Sequence, residues 1–216
     1  MKINTIYLIL SLSIFFQGCG ENVKESGTYQ NGVKNGLWYT YYENGHLKSK
    51  GSYINGYYEG VWFYYRKNGQ VFSKETYRSG KKNGVSMKFH ENGILLGKTN
   101  YIMGFKNGFD ELYSYNGKLW FRYHYINGIK EGITELFYLN GKMSHRGYYK
   151  EGELDSLWVN YYSNGKIKEI GNYLNGDKFG KWVYYYENGK KRKEGFYRNG
   201  IPKGNWIYYR LQKPVR

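Results

Sequence analysis

The chain has 216 residues and a formal net charge of +16, a balance that attracts polyanions such as anionic lipid head groups, acidic glycans or nucleic acid. Aromatic residues make up 21% of it, mainly tyrosine, and 30 glycines stand beside no alanine at all. That composition excludes sustained helices and points to an all-β chain.

Residues 1–18 stand apart. Lys2 precedes the apolar run Ile6 to Phe16, and Gly18-Cys19 follows, as in a secretory signal too short to remain as a membrane-spanning helix. Cys19 is the only cysteine and follows a small residue at the end of the apolar segment. This arrangement resembles the lipobox of bacterial lipoproteins, with Phe16 where leucine is more usual. The resemblance implies acylation of Cys19 and a membrane anchor in the cell envelope, at the outer membrane or cell surface. The bland alternative is an incidental thiol beside an ordinary cleavage site. Residues 19–26 then form the lipidated cysteine and a tether. Loss of residues 1–18 removes Lys2 and leaves +15. A basic excess also fits an AT-rich genome combined with lysine protection of sheet edges.

Residues 27–210 repeat with a period of 24, and residues 211–216 form a tail. Copies begin at Gly27, Gly51, Glu75, Thr99, Tyr123, Gly147, Gly171 and Gly195. Position 3 is always Tyr, position 6 always Gly and position 15 always Tyr or Phe. Asn-Gly occupies positions 18–19 of every complete copy, from Asn44-Gly45 to Asn188-Gly189. Asn-Gly between apolar runs predicts a two-residue type I′ hairpin turn, because both central residues need positive φ. The second Asn-Gly, as at Asn199-Gly200, reads as the start of a longer loop to the next hairpin. The predicted fold is an elongated antiparallel β-meander of about eight hairpin repeats, spanning on the order of 75 Å.

This turn places position 13 opposite position 24, as in Tyr39/Lys50, Phe63/Lys74, Glu111/Arg122, Glu135/Arg146 and Val159/Ile170. Position 12 then faces the first residue of the next copy, as in Trp38/Gly51, Trp158/Gly171 and Trp182/Gly195, with the ring laid over the facing glycine. Trp62/Glu75 and Thr134/Gly147 are exceptions.

The pattern Tyr-x-Asn-Gly-x-x-x-Gly-x-Trp-x-x-Tyr-Tyr-x-Asn-Gly, as in Tyr173 to Gly189, resembles the variant MORN repeat over essentially all of residues 27–210. Proteins of this variant are commonly grouped as YwqK-type antitoxins. The resemblance implies a β-meander that binds a partner without catalysis, and antitoxin-like neutralisation of a toxin as its specific version.

The residues carry little chemistry. The four histidines fall in four different columns, and neither a nucleotide-binding loop nor a Ser/His/Asp order is present, so no metal, cofactor or enzymatic activity is expected. A paired-carboxylate hydrolase built on Asp110, Glu111 and Glu135 is set aside, because arginines face Glu111 and Glu135. The candidate binding surface is the tryptophan column (Trp38, Trp62, Trp158, Trp182, Trp206) with a basic ladder at position 24 (Lys50, Lys74, Lys98, Arg122, Arg146). Copies 3 to 5 lose the tryptophan to Ser86, Asp110 and Thr134, and acids gather nearby: Asp110, Glu111, Glu131, Glu135, Glu153 and Asp155. They form either a specialised contact patch or relaxed repeat sequence. The expected partner is a protein, a toxin included, with the membrane reached through the anchor. The alternative is an acidic polymer or anionic membrane surface held by the lysines and aromatics. Nucleic acid ranks lower because the chain is exported. The sequence indicates neither the partner's identity nor an oligomeric state.

Overall fold

A computed structural model describes residues 24–211. The signal segment, Cys19 and most of the tail lie outside the described residues. Those described form seventeen strands and no helix, and every strand pairing among them is antiparallel. The chain divides into two compact units between Gly93 and Ile94. The first holds β1 (Lys24–Gln30), β2 (Val33–Tyr41), β3 (Leu47–Ile54), β4 (Tyr57–Tyr65), β5 (Val71–Arg78), β6 (Lys81–Lys82) and β7 (Gly84–Phe89). The second holds β8 (Leu95–Ile102), β9 (Phe105–Tyr113), β10 (Leu119–Ile126), β11 (Ile129–Phe137), β12 (Met143–Lys150), β13 (Glu153–Tyr161), β14 (Ile167–Leu174), β15 (Asp177–Tyr185), β16 (Lys191–Arg198) and β17 (Ile201–Tyr208). Each unit is an antiparallel meander, as the repeat predicts.

The two turns of each copy are the reverse of the expectation. The two-residue type I′ turn lies at positions 5–6: Asn31 and Gly32 have φ of 51° and 77°, and Gln30 pairs directly with Val33. Asn55-Gly56, Asn127-Gly128, Asn175-Gly176 and Asn199-Gly200 repeat it. At positions 17–19 the loop has three residues. Gly45 N–H donates to Tyr42 O (2.9 Å), Tyr42 N–H donates to His46 O (2.8 Å), and only Gly45 has positive φ. This is a type I turn closed by a left-handed glycine. Its asparagine serves differently: Asn44 Oδ1 accepts the His46 N–H at 3.1 Å.

The expected register nevertheless holds. A three-residue loop alone would shift the pairing by one, and an irregularity beyond it, between Thr40 and Tyr41, shifts it back. Tyr39/Lys50, Phe63/Lys74, Glu111/Arg122, Glu135/Arg146 and Val159/Ile170 are all direct partners. So are Trp38/Gly51, Trp62/Glu75, Trp158/Gly171 and Trp182/Gly195.

The tryptophan rings lie over a different glycine from the one expected. A Cβ added at Gly51 would meet Trp62 at 2.2 Å, and one at Gly171 would meet Trp182 at 2.2 Å. Gly27, Gly147 and Gly195 stand in the same relation to Trp38, Trp158 and Trp206. Each indole therefore leans back over position 1 of its own copy, across the opposite flank of its strand. A bulge aims it. Gly51 alone faces Gly60, Val61 and Trp62, and Gly60 opens the bulge with φ of 70°. The indole Nε1–H of Trp62 then donates to the Ser52 carbonyl (3.0 Å), as Trp38 does to Thr28 and Trp182 to Asn172. The exceptions now make sense. Every copy beginning with Gly carries Trp at position 12. Copies beginning with Glu75, Thr99 or Tyr123 carry Ser86, Asp110 or Thr134, trading ring volume for a side chain on the neighbouring strand.

Successive copies are tied at both hairpin ends. At the type I′ end, Gly56 N–H donates to Lys34 O and Gly152 N–H to Lys130 O, 2.9 and 3.0 Å. At the three-residue end, the Tyr42, Tyr138, Tyr162 and Tyr186 hydroxyls donate to the carbonyls of Tyr65, Tyr161, Tyr185 and Tyr209, 23 residues on. Arg66 does the same to Phe89 O.

Candidate binding surfaces

Alternation along the strands gives each unit two unlike faces. On the first, Trp38 and Trp182 are wedged between tyrosines of their own copy and the next: Trp38 meets Tyr29 at 5.0 Å and Tyr53 at 5.9 Å, and Trp182 meets Tyr173 at 5.3 Å and Tyr197 at 6.1 Å. In these two copies the lysine at position 8 caps the ring, with Lys34 Nζ 4.2 Å from the Trp38 centroid and Lys178 Nζ 3.8 Å from that of Trp182. Burial raises the hydroxyl pKa values of Tyr173 and Tyr184, and that of Tyr197 to about 12, keeping them neutral, and the Tyr184 and Tyr197 hydroxyls lie 3.1 Å apart. Trp38, Trp62 and Trp182 are 2%, 2% and 0% exposed. These three are the packed interior, a correction to their place in the candidate contact surface. Trp158 and Trp206 are half-buried.

The second face is open. Ile54 and Tyr57 form a direct pair beside a type I′ turn and are 54% and 61% exposed. In the second unit, Ile102/Phe105 and Ile126/Ile129 are equivalent pairs, all exposed. Leu37, Val61, Leu157 and Phe196 continue the apolar surface away from the turns. The sequence reading passed over these residues, because it placed the tight turn at the other Asn-Gly. Apolar residues flanking a type I′ turn on both sides were the available signal.

The position-24 ladder lies on this second face, next to the open apolar columns. It is not one basic strip. Lys50 and Lys74 flank Phe63, 5.3 and 5.8 Å from its centroid. Lys98 pairs with Glu111 in register. Arg122 and Arg146 are neutralised by acids, and the shortest contact is Arg122 Nη2 to Glu135 at 3.1 Å, across the β10–β11 hairpin closed by the type I′ turn. The anticipated contacts across the three-residue loops, Glu111/Arg122 and Glu135/Arg146, are 3.9 and 3.8 Å.

Of the six acids, Asp110 stands apart from the other five, which alternation places on the second face. Asp110 is on the indole face, accepting from Thr99 Oγ1 and Lys106 Nζ, both at 2.6 Å. Glu111 and Glu135 are on the opposite face with the arginines. Glu131 accepts the Glu151 N–H (2.7 Å), Asp155 accepts the Ser156 hydroxyl (2.7 Å), and Glu153 is exposed beside a turn. Among the described residues no group of His, Cys, Asp and Glu is arranged to hold a metal ion.

A repeating β-meander with one face packed by its own rings and the other open is a binding module of the repeat class. The MORN repeat variant matches residues 34–55, 58–79, 82–103, 130–151, 154–175 and 180–199, more than half of the chain, which belongs to that family. The matched windows leave out residues 106–127, where Asp110 replaces the indole. No curated protein matches the chain.

Proposed function

We propose that the chain is a non-enzymatic protein-binding module of the bacterial envelope, tethered to a membrane through Cys19. The observation that carries this reading is the open face: paired apolar side chains at the type I′ ends, next to the position-24 cations. Apolar columns of this kind gain most from being covered by a partner, and neighbouring cations raise the rate of encounter with an acidic one. Toxin neutralisation is the finer version, and it rests on the likeness to YwqK-type antitoxins. A second reading is an acidic polymer or anionic lipid surface, favoured by Lys50 and Lys74 interleaving with Phe63.

The lipidated protein serves as bait in a pull-down from membranes, washed at low and high salt. A partner retained at high salt and lost on Ile126→Asp with Ile129→Asp is the expected result. Retention of that partner by the double variant, or mature protein carrying no lipid, would overturn the respective part of the reading. Material released steeply by salt alone would favour the polyanion.

A further inference from the structure

In the first unit, on the indole face beside the three-residue loops, lies a groove of about 340 Å³ lined by Tyr42, Lys48, Tyr64, Phe72, Ser73 and Glu75. The repeat provides its own comparison. In copy 7 the residue equivalent to Tyr64 is Tyr184, and its ring is covered by cations: Lys193 Nζ at 4.8 Å, Lys178 Nζ at 5.3 Å and the Arg192 guanidinium at 5.9 Å. The same three positions in copy 2 hold Ser73, Tyr58 and Phe72. Tyr64 keeps the contacts that Tyr184 makes to the equivalent Trp and Tyr hydroxyl, here Trp62 and Tyr77, without the three cations. At the inner end stands Glu75, 8% exposed, where the equivalent residue is Gly195. Its Oε2 accepts from the Tyr77 hydroxyl (2.6 Å) and pairs with Lys82 (3.0 Å). At the outer wall Lys48 Nζ lies 5.6 Å over Tyr42.

We infer that this groove binds a pyranose unit of an acidic polysaccharide. The apolar C–H face of a pyranose packs against the electron-rich face of Tyr64, with Tyr42 and Phe72 as flanking walls that carry Lys48 and Arg66 over their own rings, at 5.6 and 5.0 Å. Glu75 already holds a cation, so the ligand groups it suits are hydroxyl donors rather than a second ammonium. Lys48 suits an anionic substituent on the sugar, which the excess of positive charge on the chain also favours. A surface groove admits a unit within a polymer, where an enclosed cavity would take only a free sugar. The site is on the indole face and is independent of the protein-binding reading.

The test is calorimetric titration of the full chain with a galacturonate oligomer, a neutral glucose oligomer of equal length, free galacturonate and inorganic phosphate at one ionic strength. The galacturonate oligomer should bind, with free galacturonate weaker if the polymer is the true source. Ser73→Lys brings the chain's own ammonium over Tyr64, as Lys193 lies over Tyr184, and should weaken binding by about tenfold or more with the circular dichroism unchanged. Phe72→Ala, at a 38% exposed position, should do the same if Ser73→Lys disturbs the fold. Lys48→Met should erase the preference for the acidic oligomer. Absence of binding by the unaltered chain, equal binding of the neutral oligomer, displacement by phosphate, or indifference to both groove variants would each overturn the assignment.

Discussion

Ser156 shows how strictly the bulge is written at single residues. Position 10 is glycine in every other copy, with φ from 65° at Gly204 to 109° at Gly84, and Ser156 adopts φ of 62° there. A β-carbon in that region costs about 1 kcal/mol. Ser156→Gly should therefore raise stability by up to about 1 kcal/mol, less what the extra backbone freedom of glycine and the lost hydroxyl contact to Asp155 take back. Chemical denaturation checks it. His145 is a second single-residue case. It lies beside Trp158 with the Ser144 hydroxyl 2.8 Å from Nδ1, and burial first, then Lys168, lowers its pKa against the opposing effect of Glu169. The folded chain then binds fewer protons there than the unfolded one. Its contribution to stability is present above the unfolded value of about 6.5 and is lost as pH falls from there through the lowered folded value. His145→Asn should flatten the pH dependence of the denaturation midpoint as pH falls below about 6.5.

At the scale of the strand and its neighbour, the unit of design is the pairing of position 1 with position 12. Gly171→Ala would drive a methyl into the Trp182 ring and should cost about 3 kcal/mol. Replacing the pair together, Gly171→Thr with Trp182→Asp, copies Thr99 and Asp110, and Lys178 stands where Lys106 reaches Asp110. The double variant should be less damaging than the sum of its parts by about 1–3 kcal/mol, measured as a double-mutant cycle. This pairing was legible in the sequence as a column correlation. The expected geometry still chose Gly195 over Gly171 as the residue beneath Trp182, because hairpin register gives Cα partners and not the lean of a ring across a bulge. The turns show the same limit. Asn-Gly marks a turn at both sites, but Asn31 supplies tolerance of positive φ and Asn44 supplies a side-chain acceptor, and the dipeptide alone does not separate them.

For the whole molecule, the 24-residue period was enough to read fold class, strand order and register. It did not separate buried from open side chains, since Trp and Tyr columns fit an inner or outer face equally well and the choice depends on what covers them. Tyr53 and Lys34 cover Trp38; nothing comparable covers Ile126 and Ile129. Asp110 parts from the other acids of copies 4 to 6 for the related reason that adjacent residues on a strand point to opposite sides. Asp110 and Glu111 are next to each other in the chain and on different faces of the sheet.

The hydrogen bonds joining Tyr42 to Tyr65, or Gly56 to Lys34, bear on how quickly such a chain finds its structure. Each joins residues 22 or 23 apart, and the strand pairings join immediate neighbours. No distant ends need meet in the search, so the entropy of loop closure is set by the repeat and not by chain length. Duplicating residues 171–194 should leave the refolding rate in stopped-flow fluorescence nearly unchanged. A pronounced slowing on that insertion would mean that the rate-limiting contacts reach further than one repeat. By the same logic the array can lengthen or shorten by whole copies without meeting a kinetic barrier, and a lineage carrying it can vary the extent of its surface by duplication alone.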